Sequence, residues 1–183
     1  MARTHKARDK KLQELILYVA RETEADPKCG KTKLYKILFY SDFWAYQKLG
    51  TSISQQEYQR LDFGPAPRRA LPVLEGMVTA AAAAWAVRDY FGLKLEKLLA
   101  LREPDLHGFS GEEIAIVQEV IRMLWPYDAA EVSALSHRFI GWQLAREGEV
   151  IPYSTVALGH PRPPTPREIE YGQRLARELG DAN

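Results

Sequence analysis

The chain has 183 residues, 46% of them hydrophobic and 27% charged, with a formal net charge of +1. That balance describes one folded domain with a sizeable core, and it excludes a disordered chain or a nucleic-acid binder that works through bulk charge. The single cysteine, Cys29, allows no internal disulfide, no secretory leader is visible, and Pro72, Glu75 and Thr79 interrupt the most apolar run. The expected setting is the cytoplasm, without a membrane span.

Residues 1–9 are polar and basic and are expected to form a flexible N-terminus. Leu12, Leu15, Ile16 and Val19 recur at helical spacing and predict a helix that stops near Asp26-Pro27, because a residue before proline avoids the α region. Gly30-Lys31-Thr32 is how a phosphate-binding P-loop ends. The glycine that motif needs five residues earlier is Ala25, however, and a helix precedes the turn where a strand is required. The expectation is a turn and a helix capped by Thr32. That helix, about Lys33 to Leu49, carries Leu34, Ile37, Leu38, Phe39 and Phe43 among further aromatics and shows almost no polar face, which places it at the centre of the domain. Gly50 is suited to end it.

Thr51 to Phe63 reads as an irregular connection carrying Tyr58, and Gly64-Pro65-Ala66-Pro67 as a turn before a short helix to about Met77. Trp85 to Leu101, with Gly92 as the turn, predicts a small antiparallel ribbon. Ser110–Glu113 and Asp128–Glu131 have the spacing of capping boxes and open two helices, the second reaching about Phe139. The expected architecture is mainly α: a compact helical domain over residues 10–159 around a buried central helix, with a small antiparallel β ribbon. Residues 160–183 read as a proline-rich strap and a C-terminal helix.

The four histidines are scattered without ligand spacing, and no cofactor motif or G-x-S-x-G elbow is present. Ser136 and His137 are adjacent, but neighbours on a helix do not face each other. The expectation is therefore no metal, no cofactor and no enzyme. Asp42 is the most telling polar residue. Its neighbours three and four positions away are Leu38, Phe39, Ala45 and Tyr46, so its carboxylate is expected in a buried stripe where it must find donors or protonate. Tyr58, Arg60, His137 and the Trp142 indole are the candidate donors, serving either a structural network or a pocket and partner contact. The basic residues between Arg3 and Lys11 keep open a phosphate-contacting surface.

The order of four segments resembles a known family. "KLYKILFYSDFWAYQKLG" (Lys33–Gly50) is followed by "YQRLDFGPAP" (Tyr58–Pro67), "EVSALSHRFIGW" (Glu131–Trp142) and "IPYS" (Ile151–Ser154). Together they resemble the Panacea, or SocA-like, antitoxin domain of prokaryotes and their phages, over about Leu12 to Ser154. The family pattern falls on Lys33, Leu34, Asp42, Tyr58, Gly64, Pro65, Ser136, His137 and Trp142, with Phe63 where the family more often has Tyr. The resemblance implies a non-catalytic protein that binds and neutralises a cognate protein toxin, either by blockade or as an adaptor to a ClpXP-like protease. The alternatives are a nucleic-acid-binding regulator of its own operon and a hydrolase built on Asp42 and His137.

Overall fold

A computed structural model of the chain describes residues 2–90 and 92–158. Its centre is a helix, α2 (Lys31–Leu49), whose Ile37, Leu38, Phe39 and Ala45 are wholly buried. The near absence of a polar face thus has the expected consequence. Gly50 ends the helix at φ +76° and donates its N–H to Tyr46 O.

Against α2 pack α1 (Ala2–Glu22), α4 (Gly111–Leu124) and α5 (Ala129–Ser136). Helix α1 begins at Ala2 rather than near Lys10, so it encloses the segment expected to fray; its Leu12, Leu15, Ile16 and Val19 are fully buried. Helix α3 (Ala70–Thr79) and the ribbon of β3 (Ala83–Tyr90) and β4 (Leu93–Ala100) close the opposite side, with Trp85 opposite Leu98 in the antiparallel register. The fold is mainly α with a small β ribbon, as expected.

One sheet was not foreseen. Strands β1 (Tyr58–Gln59), β2 (Ala66–Pro67) and β5 (Val150–Ile151) form a three-stranded sheet in the order β2-β1-β5, all antiparallel. Two-residue strands leave no alternation to read, and the β1–β5 pairing joins Tyr58 to Ile151, far away in sequence. The sheet carries Tyr58 and Ile151 into a second, aromatic core with Phe39 and Phe43. After α6 (Ile140–Leu144), a 3-10 turn over Tyr153–Ala157 covers that core. The strap and helix expected in residues 160–183 lie outside the described residues.

Both capping boxes form. The Ser110 hydroxyl accepts from Glu113 N–H while the Glu113 carboxylate accepts from Ser110 N–H, and Asp128 and Glu131 reciprocate in the same way. Helix α5 stops at Ser136, earlier than expected, and a separate short α6 places Trp142. Replacing Asp128 by Ala removes an acceptor for an orphan N–H. It is expected to destabilise the domain by about 1 kcal/mol, read as a lowered urea midpoint.

Candidate functional site

The polar side chains of α2 determine the geometry around it. Lys33, Lys36 and Asp42 are at most 2% exposed, and each must find a partner within the protein. Lys33 Nζ forms an ion pair with Asp26 Oδ2 at 2.7 Å and donates to Trp125 O (3.0 Å) and Tyr127 O (2.7 Å), clasping the α4–α5 connection. Leu34, its neighbour in the family pattern, is a core residue.

Asp42 lies where its spacing indicated. Oδ1 accepts from Ser54 N–H at 2.7 Å, and Oδ2 accepts from the Tyr58 hydroxyl at 2.7 Å and from the Ser54 hydroxyl. Of the expected donors only Tyr58 reaches it; Arg60, His137 and Trp142 are engaged elsewhere. Ser54 was missed because a serine twelve residues downstream in an irregular segment carries no periodic signal. Burial pushes the Asp42 carboxyl up, opposed by these hydrogen bonds, and burial also raises the Tyr58 phenol well above its usual range. Tyr153 closes the network by donating its hydroxyl to Gln56 O at 2.6 Å.

The remaining residues of the family pattern gather on another side of α2. Trp142 donates its indole N–H to Leu61 O at 3.1 Å. The His137 imidazole stacks on the indole at 4.0 Å between ring centres, tilted by 12°, and the Arg60 guanidinium lies 4.2 Å from the same ring. Arg60 itself donates to Ala145 O at 2.5 Å. Burial, with the Lys36 and Arg60 charges nearby, holds the His137 imidazole below its ordinary value. Ser136 donates its hydroxyl to Ser133 O at 2.8 Å, so Ser136 and His137 are not paired as nucleophile and base.

Gly64 explains why these parts meet. Its φ is +95°, and a Cβ there would overlap Ser136 Oγ and approach Lys36 Cε to 2.8 Å. Only glycine lets the β1–β2 turn lie between α2 and α5. Lys36 Nζ then donates to Pro65 O at 2.9 Å. Lys36 was passed over in the sequence because one lysine in an apolar helix reads as a stem that reaches solvent. Burial instead pulls its ammonium down to about 7.

The Gly30-Lys31-Thr32 turn needs one correction. The cap position is Gly30, no side chain bonds there, and Thr32 is the second residue of α2. A Cβ on Gly30 would come within 2.8 Å of Leu95 Cδ1 and 3.3 Å of Glu96 O, so a side chain there would press on β4. Among the described residues no group of three or more His, Cys, Asp or Glu is placed to hold a metal. No helix there is long and apolar enough to cross a membrane.

Two pH dependences follow, with opposite signs. Unfolding returns Lys36 to its ordinary value near 10.5, so between about 7 and 10.5 the unfolded chain binds more protons and wild-type stability gains from rising pH. Relative to Lys36→Met, the wild type should gain stability as pH rises from 7 to 9, with a slope approaching about 1.4 kcal/mol per pH unit above pH 8, measured by urea unfolding. For Asp42 the native carboxyl binds its proton more tightly than the unfolded one, so the wild type loses stability as pH rises above 3.8. Asp42→Asn, which cannot ionise, should be less stable than wild type at pH 4, with a gap that narrows toward pH 7.

Comparison with characterised proteins and with solved structures gives no match. The family described as "Antitoxin SocA-like, Panacea domain" matches over residues 34–143, which runs from the first turn of α2 into α6. That span exceeds half of the sequence and holds Asp42, Ser54 and Tyr58 together with the Gly64–Trp142 cluster, and the chain belongs to the SocA-like, Panacea-domain antitoxin family.

Proposed function

We propose that the protein neutralises a cognate protein toxin by direct, non-catalytic binding in the cytoplasm. The family match over residues 34–143 carries this reading. The geometry supports a binding role because the residues of the family pattern are mostly committed to holding the frame. Lys33, Asp42, Tyr58 and Ser136 are buried and hydrogen-bonded within the chain. Large apolar side chains outside that frame remain available, including Phe63 (73% exposed), Leu144 (66%) and Val87 (64%). Partner specificity on such a frame resides in a few exposed anchors.

The basic N-terminus favours nucleic acid less once it is placed in α1. Lys11 is paired with Glu113 at 2.9 Å, and Asp9 lies on the same helix, paired with Arg69 at 2.7 Å. A hydrolase on Asp42 and His137 is not supported, because Asp42 faces Ser54 and Tyr58 while His137 lies on Trp142.

Co-expression with the product of the adjacent gene tests the proposal. Growth arrest by that product alone should be relieved, and the two proteins should co-purify. Undiminished toxicity beside soluble antitoxin would sink the reading. Persistence of the inactive toxin indicates blockade; its disappearance only in cells with an intact ClpXP-like protease indicates delivery.

A further inference from the structure

The described chain ends at Leu158, and Leu158 itself helps to line a groove of about 240 Å³ beside α2. The buried Phe39 and Phe43 make its floor. The half-buried Tyr40, Trp44 and Phe139 stand along it, and the Phe139 ring meets both floor rings edge-on at 5.2 Å between centres. Tyr40, Trp44 and Gln47 follow one face of α2 over about 10 Å. None of the described residues that line the groove is charged. An uncharged, aromatic-lined groove suits a proline-rich segment, whose rigid backbone loses little conformational freedom on docking.

Such a segment begins just beyond Leu158. Residues 161–166 read Pro-Arg-Pro-Pro-Thr-Pro and lie outside the described residues. A polyproline II helix has three residues per turn, so residues three apart share an edge. On that helix Pro161 and Pro164 fall on one edge, Pro163 and Pro166 on a second, and Arg162 and Thr165 on the third. All four prolines can therefore meet one apolar surface while the charge of Arg162 faces away. A rise of about 3.1 Å per residue carries the segment over about 16 Å, enough to cover the α2 face. From Leu158 to Pro161 an extended chain spans about 10 Å, so the first proline reaches the groove from its rim.

We propose that residues 161–166 dock in this groove within the same molecule, as a polyproline strap seated on Tyr40, Trp44 and Phe139. The short connection from Leu158 favours the chain's own segment, because tethering raises its effective concentration to the millimolar range. A groove so occupied accepts a proline-rich segment of another protein only by displacing the strap. The strap does not depend on the toxin-binding reading.

The test uses the full chain, isotope-labelled for NMR. Nuclear Overhauser contacts between the proline protons of residues 161–166 and the rings of Tyr40 and Trp44 are expected, and dilution should leave them unchanged. Pro161→Ala, Pro163→Ala, Pro164→Ala and Pro166→Ala together should remove them and shift the Trp44 indole signal. A synthetic peptide of residues 160–167 should then bind this variant about fivefold or more tightly than it binds wild type, since the tethered competitor is gone. Adding Trp44→Ala to the variant should abolish that binding. Absence of the contacts in wild type, or a Trp44 signal indifferent to the proline replacements, overturns the proposal. Contacts that arise only between differently labelled molecules overturn it in favour of a second copy. A peptide that does not distinguish the two proteins also overturns it, and equal tight binding assigns the groove to a foreign proline-rich segment. If Trp44→Ala fails to fold, the wild-type contacts and the peptide comparison decide the matter.

Discussion

A helix buried on nearly every side cannot leave charged groups without partners, and α2 carries three of them in its interior. Lys33, Lys36 and Asp42 each grip a different part of the chain: the Trp125–Tyr127 connection, the Gly64–Pro65 turn and the Ser54 segment. An unpaired buried charge is costly enough that these grips place three otherwise irregular segments against one helix. The apolar side chains of α2 supply the attraction, and its polar ones decide which loops lie where. The same logic recurs in β4, where Lys97 holds the end of α1 and the following turn through three carbonyls.

The family pattern looks different once these partners are known. Lys33, Asp42, Tyr58 and Gly64 read in the sequence as residues of a partner contact or of a structural network, and each is engaged within the fold. They keep the Gly64 turn, the His137–Trp142 stack and the aromatic core in register around α2. A frame of this kind can accept different exposed residues without repacking, since the surface side chains do not take part in the buried network. Phe63 illustrates the division: it sits directly before the constrained Gly64, yet points largely into solvent.

Lys36 departs from the rest of the frame. Its burial resembles that of Lys33, three residues earlier on the same helix, but its neighbourhood supplies one carbonyl acceptor where that of Lys33 supplies two and an ion-pair partner. The difference arises from which segment each helix position happens to face. Lys33 meets a helix–helix connection that offers two carbonyls, with Asp26 beside it, whereas Lys36 meets the Pro65 carbonyl beneath the Gly64 turn. That turn tolerates no side chain at Gly64, so the placement of Lys36 and the turn conformation are one constraint.

Much of this was legible in the residues, for reasons that are local. Helical spacing in α1, α2 and α4, the two capping boxes and the end of α2 at Gly50 depend on contacts a few residues apart, so their signals sit in short windows. The burial of Asp42 was equally legible, because its four helical neighbours determine its surroundings. The partners were not. Ser54 rather than Arg60 reaching Asp42, the three two-residue strands pairing as one sheet, and Arg60 and His137 meeting on Trp142 all join segments whose separation only the packed chain sets. The sequence by itself determined the principal helices, the two capping boxes and the fact that α2 would bury charge. The tertiary structure alone decided what meets that charge, since a buried donor or acceptor is satisfied by whichever backbone or side chain the packing brings within about 3 Å of it.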